Sequence, residues 1–234
     1  MEFKDKVVIV TGGAQGIGKA IKEAFENEGA RVYVIDIQNG NHFVGDVSKK
    51  EDLEKFVNYL LENENHVDYI INNAVPLFKG INDCSYDEFV YALNVGATSV
   101  FYLTKLLRSN LAENSVIINI TSTRDNQSMS QSESYAAAKG AMKSLTHALA
   151  VSLGPKTRVN AIAPGWIETK NKAYSGSDAN QQPVGRVGVP KDISELVLFL
   201  CSNKASFITG QEFVVDGGMS KLMIYHDEHG WKKE

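Results

Sequence analysis

Apolar and polar residues along this chain follow two alternating patterns. Short apolar runs rich in β-branched residues recur at Lys6–Val10, Arg31–Asp36, Tyr69–Asn72, Val116–Ile120, Val159–Ala163 and Glu212–Val215. Such runs are typical of strands that are buried on both faces of a parallel sheet. Helical patterns separate them, at Ile17–Glu28, Lys49–Glu62, Ser85 to about Leu111, Glu133–Leu153 and Ile193–Leu200.

This alternation of strand and helix predicts an α/β fold with a single domain. We expect a Rossmann-type, doubly wound parallel sheet of about seven strands with helices on both faces. Ser48 and Ser85 precede two of the helices and are predicted to cap them, and Gly29 ends the first helix. The helix Glu133–Leu153 carries an apolar stripe, which fits either the core or a subunit interface.

The overall composition argues against several classes of function. The 234 residues carry 24 Lys and Arg against 28 Asp and Glu, a formal net charge of −4, so there is no basic footprint for nucleic acid. No apolar run reaches the ~18 residues that a membrane span needs, and Met1–Asp5 is unlike a signal peptide. Cys84 and Cys201 show neither disulfide nor metal-site spacing. We therefore expect a cytoplasmic protein without a metal, membrane or nucleic-acid partner.

A glycine-rich turn, Thr11–Gly18, follows the first strand and opens the first helix. Gly12 suits a tight turn, Gly16 permits close approach of the backbone to a pyrophosphate, and Gly18 permits close packing of helix on strand. The free N–H groups and positive dipole end of the helix then favour phosphate. The pattern predicts a dinucleotide site, although an ordinary strand–helix turn would have the same glycines.

Asp36 lies at the end of the second strand, eighteen residues after Gly18. A carboxylate at this point can accept hydrogen bonds from the adenosine ribose hydroxyls and repels a 2′-phosphate. Gln15, inside the glycine turn, offers no positive charge to such a phosphate. Both features favour NAD over NADP, and the alternative is a strand-end carboxylate that faces water.

The connection after Asp36 is unusually short. Only five residues separate Asp36 from His42, where a third strand would begin, whereas a parallel crossover usually needs about a dozen residues. Either the third strand is a stub or the usual helix before it is missing. We expect a thin wall over the adenine side of a bound dinucleotide.

Tyr135 and Lys139 stand four residues apart, so their side chains share one helix face. A nearby ammonium stabilises a phenolate and is predicted to lower the phenol pKa from about 10, which suits proton exchange with a substrate alcohol. Ser122 precedes Tyr135 by thirteen residues. A dinucleotide site combined with an acid–base group indicates hydride transfer. The alternatives are a half-buried tyrosine and a solvated lysine.

The motifs together resemble those of the short-chain dehydrogenases/reductases, from Lys6 to about Gly218. The resemblance is carried, in chain order, by Thr11–Gly18, Asp46-Val47, Asn72-Asn73-Ala74, Asn94, Asn119–Ser122, Tyr135–Lys139, Pro164–Thr169 and Val215–Gly218. It implies that four residues are catalytic, with Asn94 positioning a water beside the lysine: Asn94, Ser122, Tyr135 and Lys139. It also implies a set of cofactor contacts: Gly12, Gln15, Gly16, Ile17, Gly18, Asp36, Asp46, Val47, Asn73, Ala74, Tyr135, Lys139, Pro164, Gly165, Ile167 and Thr169.

The resemblance further implies a homodimer or homotetramer assembled through the two long helices. The expected activity is NAD-dependent interconversion of a small-molecule secondary alcohol and its carbonyl. Two alternatives stay open, a reductase of 3-oxoacyl thioesters or small ketones that uses NADPH, and a non-catalytic protein that senses NAD. Residues 1–218 are expected to form the catalytic domain. The tail 219–234 either packs on a neighbouring subunit or is a frayed terminus.

The chain departs from the family pattern where a substrate would bind. Val75 replaces a glycine that is usual in the family, and the stretch Thr169–Pro183 is short and polar. The polar segment Arg124–Gln131 follows directly on Ser122 and favours a polar substrate, such as a sugar or hydroxy acid. Arg124 is expected to form a structural ion pair, and its alternative role is to meet a carboxylate or phosphate of the substrate.

Overall fold

Seven parallel strands form one open sheet in the computed structural model, which describes residues 2–223, 225 and 227. In chain order they are β1 (Val7–Thr11), β2 (Arg31–Asp36), β3 (Phe43–Val44), β4 (Val67–Asn72), β5 (Leu111–Ile120), β6 (Thr157–Pro164) and β7 (Glu212–Val215). Their spatial order is β3-β2-β1-β4-β5-β6-β7. The order reverses direction between β1 and β4, and ligands of such sheets bind beyond the carboxyl ends of the strands at this switch point.

Helices cover both faces of the sheet, which confirms the predicted Rossmann-type fold. They are α1 (Gly16–Asn27), α2 (Lys50–Leu61), α3 (Tyr86–Leu93), α4 (Ser99–Leu107), α5 (Glu133–Leu153), α6 (Ser177–Asn180) and α7 (Pro190–Cys201). Val7 and Ile9 of β1 pack with α2, α4 and α5 on one face, whereas Val8 and Val10 pack with α1 and α7 on the other. Alternate side chains of each strand therefore enter different cores, which is why the strands are apolar throughout.

The apolar stripe of α5 belongs to the core. Met142 and Leu149 are buried, and Leu145 and Leu153 pack against the same cluster. The continuous helical stretch Tyr86–Leu107 is long and apolar enough to cross a membrane by length and composition alone. It is packed against α5 and α2 in this structure, as core helices of globular proteins are.

Several predicted boundaries were wrong. The long helix ends at Leu107 instead of Leu111, because Leu111 begins β5. A π-helical turn, Asn94–Thr98, interrupts it, so Asn94 starts this turn and does not continue a regular α-helix. Ser85 caps α3 as predicted, in a reciprocal pair of hydrogen bonds with Glu88. Ser48 does not cap α2, because Lys49 occupies the N-cap position without a side-chain hydrogen bond.

Both alternatives proposed for the short connection after β2 hold. β3 is a stub of two residues that pairs in parallel with Ile35 and Asp36. The residues between β2 and β3 form bends without a helix. At the other end of the chain, Met219–Lys221 forms one 3₁₀ turn. Residues 224, 226 and 228–234 lie outside the described residues, so packing of the tail on a neighbouring subunit stays a prediction.

Candidate active site

A cleft of about 490 Å³ lies at the carboxyl ends of β1, β2, β4, β5 and β6. Most of the residues predicted from the sequence line it: Gly12, Gln15, Gly16, Ile17, Asp36, Asp46, Val47, Asn73, Ala74, Ser122, Tyr135, Lys139, Pro164, Gly165, Ile167 and Thr169. Two predicted residues, Gly18 and Asn94, are not in its lining. Several further residues of the lining were not predicted, among them Tyr91, Val95, Thr121 and Lys170.

The glycine turn has the backbone geometry that the sequence predicted. Gly12 and Gly16 adopt φ values of +68° and +57°, a region that side chains with a Cβ rarely enter. A Cβ on Gly18 would lie 2.1 Å from the Gly12 carbonyl oxygen, so Gly18 packs directly against the turn and leaves no space for a side chain. The N-cap residue of α1, Gln15, makes no side-chain capping bond, and the first turn has no acidic residue. The start of α1 therefore keeps N–H groups available for an anion.

Asn73 and Thr11 join the two strand ends on either side of the switch point. The Thr11 hydroxyl accepts hydrogen bonds from the backbone N–H groups of Asn73 (3.0 Å) and Ala74 (3.1 Å). The Asn73 amide in turn donates to the carbonyl oxygens of Thr11 and Gly12, at 3.1 and 2.8 Å. These bonds fix the glycine turn to the end of β4, so the floor of the cleft is rigid before any ligand binds.

Asp36 is held in place at the end of β2. One of its carboxylate oxygens accepts from the backbone N–H of Ala14 at 3.0 Å, and the other accepts from that of Gln38 at 2.9 Å. Its side chain has no ion pair with the described Lys and Arg residues. Ile37 is 65% exposed beside it, in keeping with the thin wall predicted here.

Ser122, Tyr135 and Lys139 meet at the other end of the cleft. The Tyr135 phenol is close enough to the Ser122 side chain for hydrogen bonding with it to lower the phenol pKa. The Lys139 ammonium is buried, donates to the Ile120 carbonyl oxygen at 2.5 Å, and lies 5.7 Å from the centre of the Tyr135 ring. Ser122 lies two residues after the end of β5, and Tyr135 and Lys139 lie in α5, which packs against β5 and β6.

The predicted lowering of the Tyr135 pKa by Lys139 was wrong for this structure. Burial raises the pKa of Tyr135, and the hydrogen bond with Ser122 and the charge of Arg124 only partly oppose that rise. Burial also lowers the pKa of Lys139 to about 7, against an opposing effect of Asp125. Lys139 is thus only partly protonated near neutral pH, which reduces the charge that it presents to the phenol.

Asn94 does not reach Lys139 directly. Its side-chain oxygen accepts a hydrogen bond from the Thr98 hydroxyl at 3.1 Å. The π-helical turn that it starts presses against α5 through Gly96, where a Cβ would lie 2.7 Å from the Ala138 Cβ. This close contact is next to Lys139 in α5, so the turn fixes the position of the lysine backbone.

A buried charged cluster behind Lys139 was not foreseen. Asp125, Lys143 and Glu212 meet there, with the Thr121 hydroxyl donating to Glu212 at 2.8 Å. Carboxylate oxygens only accept hydrogen bonds, so Asp125 and Glu212 can bond to each other only if one is protonated. Burial, and then the neighbouring Glu212, raise the pKa of Asp125 to about 7. The sequence held no signal for this cluster, because its members are far apart along the chain.

Arg124 does not form the ion pair that was expected. No carboxylate of the described residues pairs with it; its guanidinium lies over the Phe78 ring, 4.8 Å from the ring centre, and one nitrogen lies 3.0 Å from the Met129 sulfur. Gln131 is used structurally, since its side-chain oxygen accepts from the backbone N–H of Asn82 at 3.0 Å. Among the described residues no group of three or more His, Cys, Asp or Glu side chains could hold a metal.

Comparisons with known proteins cover nearly the whole chain. A family model described as enoyl-(acyl carrier protein) reductase matches residues 12–220. An uncharacterized oxidoreductase of Thermotoga maritima is 36% identical over 96% of this chain and 100% of that protein. L-fucose dehydrogenase of Mus musculus is 35% identical over 92% of this chain and 89% of that protein. A solved structure described as an apo SCOR enzyme from Clostridium thermocellum is 44% identical, covers 98% of each chain and has a TM-score of 0.89.

Proposed function

Because the chain belongs to the short-chain dehydrogenase/reductase family, we propose that it interconverts a polar secondary alcohol and its carbonyl with NAD. The observation that carries this proposal is that Ser122, Tyr135 and Lys139 line the same cleft as the glycine turn and Asp36. The similarity to a protein named L-fucose dehydrogenase supports a polar substrate such as a sugar, and the polar segment Arg124–Gln131 is also compatible with a hydroxy acid.

The residues of the cleft fit a dinucleotide. Gly12 and Gly16 leave the backbone open at the start of α1, and Gly18 has no room for a side chain. Asp36 would hold the adenosine ribose, Asp46 and Val47 the adenine, and Pro164 to Thr169 the nicotinamide end. When bound, the nicotinamide supplies the acceptor or donor of the hydride. The fixed, unpaired carboxylate of Asp36 supports NAD over NADP, because a 2′-phosphate beside it would be repelled.

Tyr135 takes the proton of the substrate hydroxyl during oxidation and returns it during carbonyl reduction. Ser122, which lines the cleft together with Tyr135, can donate to the substrate oxygen as negative charge develops there. A pKa of about 7 allows Lys139 to accept or release a proton at neutral pH. The resemblance assigns Asn94 to a water beside Lys139, which would complete the proton path to solvent.

Replacement of Tyr135 by Phe tests the acid–base role. The ring and its packing are kept, so we expect turnover to fall by about a thousandfold or more, while NAD binding followed by calorimetry changes little. Ser122→Ala should lower turnover less, because it removes a donor and leaves the proton acceptor. Substantial activity of the Tyr135→Phe protein would show that another group carries the proton.

A second candidate is a reductase of 3-oxoacyl thioesters or small ketones that uses NADPH. The description of the matching family model, enoyl-(acyl carrier protein) reductase, favours a reductase of thioesters. Asp36 disfavours this candidate, because its carboxylate would repel the 2′-phosphate of NADPH. Initial rates with NAD and NADP at equal concentration separate the two, since a better rate with NADP would exclude the first. A protein that only senses NAD is disfavoured, because the chain keeps all three residues of the Ser–Tyr–Lys set.

The remaining proposals concern the whole chain. We assign residues 1–218 to the catalytic domain and 219–234 to a tail, in a homodimer or homotetramer assembled through α3, α4 and α5. We propose a cytoplasmic location, with the small-molecule substrate as the partner and without a metal, membrane or nucleic-acid partner. The net charge of −4 supports the last point.

A further inference from the structure

Arg124 is a positive charge two residues after Ser122, close to the end of the cleft that Ser122 and Tyr135 line. It lies in the 3₁₀ turn Thr123–Asp125, and its backbone N–H donates to the Ser122 hydroxyl at 3.3 Å. Its guanidinium stacks on Phe78 at 4.8 Å, and the Phe78 ring lies 5.4 Å from the Tyr135 ring. The cation is therefore held beside the phenol by two consecutive ring contacts.

The guanidinium has unused hydrogen-bonding capacity. It carries five N–H donors, and its hydrogen bond in the described structure goes to a thioether, a weak acceptor. Two other arginines are paired with carboxylates, Arg31 with Glu64 and Arg186 with Asp192, in each case through two nitrogen–oxygen contacts. The neighbouring carboxylate, Asp125, is turned inward to Lys143 and Glu212 and does not neutralise Arg124.

The charge of Arg124 acts on the proton-transfer residue. It is one of the two influences that lower the pKa of Tyr135 against the effect of burial. A guanidinium that stacks on an aromatic ring keeps its N–H edge free for a planar anion. The donor edge thus suits a carboxylate, which can accept two parallel N–H bonds.

We propose that Arg124 binds a carboxylate of the substrate, so that the enzyme acts on hydroxy acids and oxo acids in preference to neutral alcohols and ketones. This inference rests on the proposed function, whose substrate class it narrows. Phe78 serves as the platform that fixes the guanidinium, and the distance from Arg124 to Tyr135 sets the spacing between carboxylate and carbonyl.

Matched pairs of substrates test the inference. We would measure kcat/KM with NADH for 2-oxobutanoate, acetoacetate and 4-oxopentanoate, each beside its methyl ester, which keeps the ketone and removes the charge. At the best spacing we expect the acid to exceed its ester at least tenfold. In the direction of reduction Tyr135 starts protonated with or without Arg124, because burial raises its pKa. Arg124→Gln should therefore lower kcat/KM for the acid by about 100-fold, the value of a charge-assisted hydrogen-bond pair, and change that for the ester less than threefold.

Two further variants and one binding measurement make the result decisive. Arg124→Lys should keep part of the preference, and Arg108→Gln, at an exposed position near the end of α4, should keep all of it. Calorimetric titration of each acid and ester into the Tyr135→Phe protein with NADH, in which turnover is blocked, should show the same dependence on Arg124. Equal binding and turnover of acids and esters, or equal losses for both in Arg124→Gln, would overturn the inference.

The failure of this inference is distinguishable from a failure of the proposed function. Reduction of neutral ketones that Tyr135→Phe abolishes, without any preference for acids, leaves the function in place and removes the role of Arg124. Binding of acids that depends on Arg124, without hydride transfer from either cofactor, supports the anion site and removes the proposed function.

Discussion

At the scale of single residues, burial decides the charge of the side chains proposed for proton transfer. Tyr135 and Lys139 were predicted as a phenol made acidic by an ammonium, yet burial raises the pKa of the first and lowers that of the second to about 7. A spacing of four residues shows that two side chains share a face, but the cost of desolvation depends on what covers that face. The sequence therefore indicated which side chains line the cleft together, and not their protonation.

A raised pKa of Tyr135 has a consequence for the pH dependence of the reaction. Oxidation needs the deprotonated phenol, so the rate of NADH formation from a secondary alcohol should keep rising from pH 7 to pH 10. Reduction needs the protonated phenol, so the rate of carbonyl reduction should not decrease at any pH up to 8. Arg124→Gln should move the rise to higher pH, because Arg124 lowers the pKa of Tyr135.

Initial rates at saturating NAD across this pH range check the prediction. NAD binding measured at the same pH values is the control, since a change in affinity would imitate a titration. An oxidation rate that is already level at pH 7 would show that the phenol ionises more easily than its burial implies.

At the scale of elements, some local features were predicted better than the boundaries of helices and strands. The cap at Ser85 and the glycine turn were predicted correctly because their geometry is set within a few residues. The π-helical turn Asn94–Thr98 and the early start of β5 at Leu111 were missed. Both depend on packing against α5 and pairing with β4, which a local pattern does not contain.

A substitution at Gly18 tests the close packing of α1 on β1. A Cβ there would lie 2.1 Å from the Gly12 carbonyl oxygen and 2.5 Å from the Asn73 side-chain nitrogen, so Gly18→Ala must displace backbone. We expect a loss of roughly 3 kcal/mol in the free energy of unfolding, in the range of overpacked core sites, together with weaker NAD binding. Lys19→Ala, an exposed neighbour in the same helix, is the matched control. Urea unfolding and calorimetry measure both effects, and equal results for the two variants would contradict the prediction.

The cluster of Asp125, Lys143 and Glu212 ties the turn after β5 to α5 and β7. Its Asp125 has a pKa of about 7 in the folded chain, above the ordinary value of about 3.9 in an unfolded one. The folded state then binds more protons, so this group stabilises most at low pH, and its contribution is lost as the pH rises through 7.

Asp125→Asn removes that loss because asparagine does not ionise. Relative to the unsubstituted protein, the variant should therefore gain thermal stability as the pH goes from 5 to 8, by on the order of 1 kcal/mol. Asp192→Asn is the control, since Arg186 lowers the pKa of Asp192 and its cost should be constant over this range. Melting temperatures at pH 5, 6, 7 and 8 give the comparison. A constant difference for Asp125→Asn would mean that Asp125 is already ionised at pH 5.

At the scale of the whole molecule, strand order brings together what the sequence kept apart. Ser122 and Lys139 line the same cleft as the glycine turn because only β4 separates β5 from β1, and alternation of strand and helix was enough to predict that edge. The contacts of Arg124 with Phe78 and of Asp125 with Glu212 could not be predicted from the sequence. They join segments through side-chain packing that no spacing along the chain encodes.

Exposed apolar side chains on α4 and α5 bear on the assembly of subunits. Phe101 on α4 is 49% exposed and Val151 on α5 is 83% exposed, on the helices through which the family resemblance predicts subunit contacts. Burying such side chains between copies would stabilise a dimer, whereas a charged side chain there would have to lose its hydration and would weaken the dimer.

Light scattering after gel filtration should therefore give a multiple of the 25.7 kDa chain mass. Phe101→Glu and Val151→Glu should shift it towards the monomer, whereas Val44→Glu, on the edge strand β3, should not. A mass of one chain before any substitution, or equal behaviour of all three variants, would exclude these helices as the interface.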